Sequence, residues 1–123
     1  MIKLTFCLRR LPHLSREAFQ RYWREQHAPL VAKHAETLGI LRYVQCHTGH
    51  DALSGAMQGS RGGPDAYDGV AELWFESEAA LAANTSEAAG KAGAELLEDE
   101  KRFIDLANSP LWFGDEHDVV SRG

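Results

Sequence analysis

The run Phe19-Gln20-Arg21-Tyr22-Trp23-Arg24-Glu25-Gln26-His27-Ala28-Pro29-Leu30-Val31 sets a histidine on the apolar side of an otherwise charged helix. At about 100° per residue, Phe19, Tyr22, Trp23, Gln26, His27, Leu30 and His34 share one side, and Arg21, Arg24 and Glu25 the other. His27 is therefore expected to point inward, one turn beyond Trp23. A buried, neutral imidazole is an acid–base group that can move a proton next to a carbonyl. The same position equally suits a structural histidine that bonds a backbone carbonyl and fixes the chain before Pro29. Tyr22 and Trp23 are either core aromatics or, through their O–H and N–H groups, substrate-orienting ones.

Other residues could join such a site. Tyr43, Gln45 and His47 share one face of a strand and either line a pocket or meet solvent. Glu72 stands among apolar neighbours and, if buried, must be paired or protonated. Asp105, after Phe103-Ile104, either orients a histidine or caps the turn before the last strand. His13, His34, His50 and His117 show no tight metal-ligand spacing, so no metal site is expected. Gly59-Ser60-Arg61-Gly62-Gly63 lacks the strand–loop–helix setting of a phosphate-binding loop.

These residues must be positioned by regular elements. Residues 2–9 alternate, with Ile2, Leu4, Phe6 and Leu8 on one face, which predicts a strand. Ser15 is a good N-cap for a helix running to about His27, with a kink or restart at Pro29 and a second segment to Leu38, ended by Gly39. Ile40–Thr48 reads as a second strand. Gly49 to about Tyr67 is glycine-rich and is expected to be a long flexible loop or lid. Asp68–Phe75 is a third strand. Ser77 caps a short alanine-rich helix ending near Asn84, Ser86 caps a longer one to about Arg102, and Leu111–Val120 is the last strand.

The order β-α-β-β-α-β predicts a single α+β domain: a ferredoxin-like four-stranded antiparallel sheet, ordered 4-1-3-2, with helices on one face. The other sheet face keeps apolar residues, so a homodimer packed sheet to sheet is expected.

Composition narrows the function classes. The 123-residue chain is 44% hydrophobic and 25% charged, as globular proteins are, and its net charge of −5 lacks the basic footprint of a nucleic-acid binder. No membrane span and no signal peptide are expected. Cys7 and Cys46 make no disulfide framework, which fits a cytoplasmic protein with free thiols.

Three stretches carry a family resemblance. Phe19-x-x-Tyr22-Trp23-x-x-x-His27-Ala28-Pro29-Leu30, Tyr67-Asp68-Gly69-Val70-Ala71-Glu72-Leu73-Trp74-Phe75 and Asp99-Glu100-x-x-Phe103-Ile104-Asp105 resemble the EthD family of small dimeric α/β-barrel proteins. The resemblance implies a ferredoxin-like fold dimerised through its sheets. It leaves activity open, because the family is named for an accessory component of bacterial ether degradation. Related α/β barrels include lactone isomerases, polyketide cyclases, decarboxylases and oxygenases, often without a cofactor.

The leading expectation is a cofactor-independent enzyme with His27 as acid or base, acting on a small hydrophobic carbonyl, lactone or polyketide-like compound. Tyr22, Trp23, Tyr43, His47 and Asp105 are the candidate binding residues. The alternatives are a non-enzymatic dimeric carrier or accessory protein, and a haem-binding monooxygenase using His34 or His47.

Overall fold

The computed structural model describes residues 1–123. Four strands, β1 (Ile2–Leu8), β2 (Arg42–His47), β3 (Gly69–Phe75) and β4 (Leu111–Gly114), form one antiparallel sheet in the order β2-β3-β1-β4. The expected ferredoxin-like α+β topology is therefore present. Alternation sends Ile2, Leu4, Phe6 and Leu8 toward the helices. The register aligns Tyr43, Leu73, Leu4 and Phe113 in one row across that face, and Gln45, Ala71, Phe6 and Leu111 in the next.

The helices begin where the serines cap them. Ser15 Oγ accepts from the Ala18 N–H at 3.0 Å and opens α1 (Arg16–Tyr22). A wide π-helical turn, Trp23–His27, leads into α2 (Ala28–Leu38), which Gly39 ends at φ 74°. In that turn the Ala28 N–H reaches back five residues to the Trp23 carbonyl. Pro29 has no N–H to give, so the expected interruption is absorbed as one widened turn while the backbone stays helical. Ser77 and Ser86 cap α4 (Glu78–Ala83) and α5 (Glu87–Glu100) in the same way as Ser15.

Two expectations need correction. The segment 49–67 is not a loop throughout, because Asp51–Arg61 forms helix α3. No residue of α3 is buried. It is held instead by paired Arg16–Asp51 bonds at 2.8 Å and by Gly62, whose left-handed φ of 59° lets its N–H cap Gln58 and Gly59. The last strand stops at Gly114 rather than Val120, and Val119 and Val120 remain exposed.

The core lies between the sheet and α1, α2 and α5, with Leu8, Phe19, Trp23 and Phe103 fully buried. On the opposite face Glu72 pairs with Lys3 at 2.7 Å. Cys7 and Cys46 lie on either side of Val70, kept apart by β3, and both are free thiols.

Candidate active site

The inward stripe of the first helical stretch ends at a carboxylate on α5. His27 is 5% exposed, and its Nδ1 lies 2.7 Å from Asp99 Oδ2. Asp99 is equally buried. Its Oδ1 accepts the Tyr22 hydroxyl at 2.5 Å and Nη1 of Arg102 at 3.1 Å. Burial alone would raise the Asp99 pKa, but the bonds from Tyr22 and His27 outweigh it and hold the carboxyl below its usual range. A carboxylate only accepts, so His27 presents Nδ1–H to it and carries its lone pair on Nε2. Burial keeps the imidazole pKa below its ordinary value, against the opposing pull of Asp99. The ring is thus neutral near pH 7, and Phe103 packs on it at 5.0 Å.

Nε2 has no partner within the chain, and no polar atom of this region is sealed away unpaired. It opens onto a cavity of about 310 Å³ between sheet and helices. Twelve of the fourteen residues lining that cavity are hydrophobic, and the two exceptions are His27 and Glu100. Burial, reinforced by the neighbouring Asp99 charge, raises Glu100 from 4.5 to about 7. The cavity therefore holds a neutral base and a carboxyl that is largely protonated at mildly acidic pH, a division of roles that acid–base sites use.

Tyr43 supplies a third polar group. Its hydroxyl accepts from Trp23 Nε1 at 3.2 Å and from Gln45 Nε2 at 2.9 Å. Both bonds are accepted, so the phenol retains its own hydrogen to donate, and Tyr43 lines the cavity. Burial raises its pKa and keeps it neutral. Gln45 ties the group together, donating also to the Trp23 carbonyl at 3.0 Å and accepting from His47 Nε2 at 2.8 Å.

The Trp23 indole depends on a glycine. Its six-membered ring lies over Gly69, and His47 stacks against the indole at 4.4 Å. A Cβ at position 69 would clash with Trp23 Cζ3, come within 2.8 Å of Cη2 and sit 3.0 Å from the Cys46 carbonyl. Gly69→Ala is expected to cost about 1–3 kcal/mol, as overpacking does, and to displace the cavity wall. Denaturant melts and tryptophan fluorescence check this; an unchanged midpoint would contradict it.

Of the expected site residues, His27, Trp23 and Tyr43 meet at the cavity. Tyr22 instead anchors Asp99, and His47 backs Trp23 without bordering the cavity. Asp105 does not orient a histidine. Its Oδ2 accepts from Asn108 and its carbonyl from Ser109, within the turn before β4. His34 Nε2 lies 2.8 Å from Glu95, at the surface. Asp99 and Glu100 were missed as site residues. A signal existed for Asp99, because it continues the buried α5 stripe Ala89, Ala92, Leu96 at helical spacing. An acid in such a stripe must find a partner.

No curated protein matches this sequence. Solved structures that share the fold include the following three. An ethyl tert-butyl ether D (EthD) family protein from Bacillus halodurans C-125 superposes with TM-score 0.61 at 19% identity, covering 95% of this chain and 99% of its own. HapK from Hahella chejuensis gives 0.61 at 12% identity, covering 100% and 99%. An EthD-like protein from Ralstonia eutropha JMP134 gives 0.58 at 18% identity, covering 98% and 94%. The EthD domain model matches residues 11–107, the span that carries His27, Tyr43, Asp99 and Glu100. With that match over most of its length, the chain belongs to the EthD family.

Proposed function

We propose that this EthD-family protein is a cofactor-independent enzyme that moves protons next to the carbonyl of a small hydrophobic ketone, lactone or polyketide-like substrate. The observation that carries the proposal is a histidine whose Nδ1 is fixed by a buried carboxylate while its Nε2 opens onto an apolar cavity. In the proposed step His27 Nε2 takes a proton from the carbon beside the carbonyl. The C–H electron pair forms the C=C bond of an enol, and the carbonyl π pair moves onto oxygen. Tyr43 and protonated Glu100 donate hydrogen bonds to that oxygen, and either one can deliver the proton that completes the enol. Asp99 stabilises the imidazolium that forms. The reverse step returns a proton to carbon.

The step can be followed before the natural substrate is known. In D₂O, proton NMR of 2-alkanones, aryl ketones and γ-lactones should show catalysed exchange of hydrogens beside the carbonyl. Tight ligand binding with no exchange in any of the three classes would favour the carrier reading, which the largely apolar lining also suits.

The working unit is proposed to be a homodimer formed through the open sheet face. That face carries Val44, Val70, Cys46 and the half-exposed Trp112, and its Lys3–Glu72 pair is already internally satisfied. Sedimentation at micromolar concentration should give twice the 13.6 kDa chain mass; a monomer would overturn the arrangement.

A further inference from the structure

A second cavity, of about 460 Å³, adjoins the first. Leu4, Leu73, Leu96 and Glu100 line both, so Glu100 stands where they meet. From that shared wall the second cavity runs past Ile40, Phe75 and Leu81 and opens at Asn84, Thr85 and Ser86, the link between α4 and α5. Its α5 wall includes Gly90 and Gly93, where a Cβ would meet nothing within 4 Å. Gly93 lies seven residues before Glu100, two helical turns along the same face. Those glycines leave open space where α5 would otherwise fill it.

Charge limits what can occupy this space. No lysine or arginine lines either cavity, and the only ionisable group bordering the second is the Glu100 carboxyl. Asp99 carries a negative charge one residue from the junction. A ligand carboxylate would find no counter-charge here and would face like charge.

We propose that the two cavities form one two-part binding site for an elongated, uncharged carbonyl compound. Its carbonyl end lies among His27, Tyr43 and Glu100, and its apolar tail lies along Ile40, Phe75 and Leu81. The head position rests on the proton-transfer reading above, whereas the tail site is a binding property that can be measured separately.

Binding of 2-alkanones with five to eleven carbons to the full chain, followed by fluorescence of Trp23 and the other tryptophans, tests the proposal. Affinity should rise roughly three- to fourfold per added methylene, as burial of each group predicts. Free alkanoates of equal length at pH 8 should bind at least about tenfold more weakly. Gly93→Leu should flatten the chain-length dependence, and Gly90→Leu provides a second variant. Each replaces a helix-interior glycine with a better helix former, so both should fold. His27→Asn should slow exchange by roughly 10²–10⁴ yet keep the chain-length dependence, which separates failure of the chemistry from failure of the tail site. A flat series in the parent protein, alkanoates that bind as tightly as ketones, or a slope that survives both leucine variants would overturn the proposal.

Discussion

Replacing His27 with asparagine should slow catalysed exchange beside a carbonyl by roughly 10²–10⁴, the usual worth of a positioned acid or base, while the protein stays folded. The asparagine side-chain N–H can take over the bond to Asp99 Oδ2 that His27 Nδ1 now makes at 2.7 Å. The cavity then loses its basic nitrogen without stranding the carboxylate. If His27 were structural, the same change would act through stability, on the order of 1–3 kcal/mol for an imperfectly replaced buried polar group, and exchange by the folded fraction would be unaltered. A variant that melts early and still exchanges at the parent rate would defeat the catalytic assignment.

Asp99 should give two different outcomes according to what replaces it. Asp99→Ala removes the acceptor of three bonds and leaves the Tyr22 hydroxyl and His27 Nδ1–H unpaired in a buried setting. Roughly 3 kcal/mol of stability should be lost, from about 1–3 kcal/mol for each stranded group. Asp99→Asn should cost much less, because the amide oxygen can take the place of Oδ1 toward Tyr22 and Arg102. Its NH₂ would then face His27 Nδ1, which must accept, and the ring proton would move to Nε2. That tautomer presents a donor to the cavity in place of a base. Exchange should fall about as far as in His27→Asn, and combining the two changes should add little. Denaturant melts and exchange rates separate the two effects; an Asp99→Asn protein with parent activity would show that the tautomer does not matter.

What could be read along the chain divides by the range of the interactions involved. Ser15, Ser77 and Ser86 announced helix starts, and Gly39 a stop, because a cap is made within a few residues. Strand faces were legible through alternation, and the sheet order followed from short connections. Helix α3 was hidden by Gly55 and Gly59, poor helix formers, and the partner of its first residue, Asp51, is Arg16, 35 residues away. Val119 and Val120 look strand-like by type, yet nothing pairs with them.

The site divides in the same way. Helical spacing placed His27 inward beside Trp23, but its partner is 72 residues distant. The choice of Asp99 over Asp105 depends on how α5 lies against the π-helical turn. The raised pKa of Glu100 arises chiefly from burial at a cavity assembled by the sheet, α2, α5 and the turn carrying Trp23, and no local pattern encodes that burial.

Ring-nitrogen NMR decides whether His27 is neutral with its lone pair on Nε2. Burial lowers the folded pKa below the ordinary 6.5. The unfolded chain therefore binds a proton at a pH where the folded one does not. The stability associated with the neutral ring is fully present above about 6.5 and lost as pH falls below it. At pH 7 the spectrum should show His27 neutral, protonated on Nδ1 and bare on Nε2, titrating below pH 6.5. A proton found on Nε2 at neutral pH, or a ring that titrates above 6.5, would rule out His27 as the base.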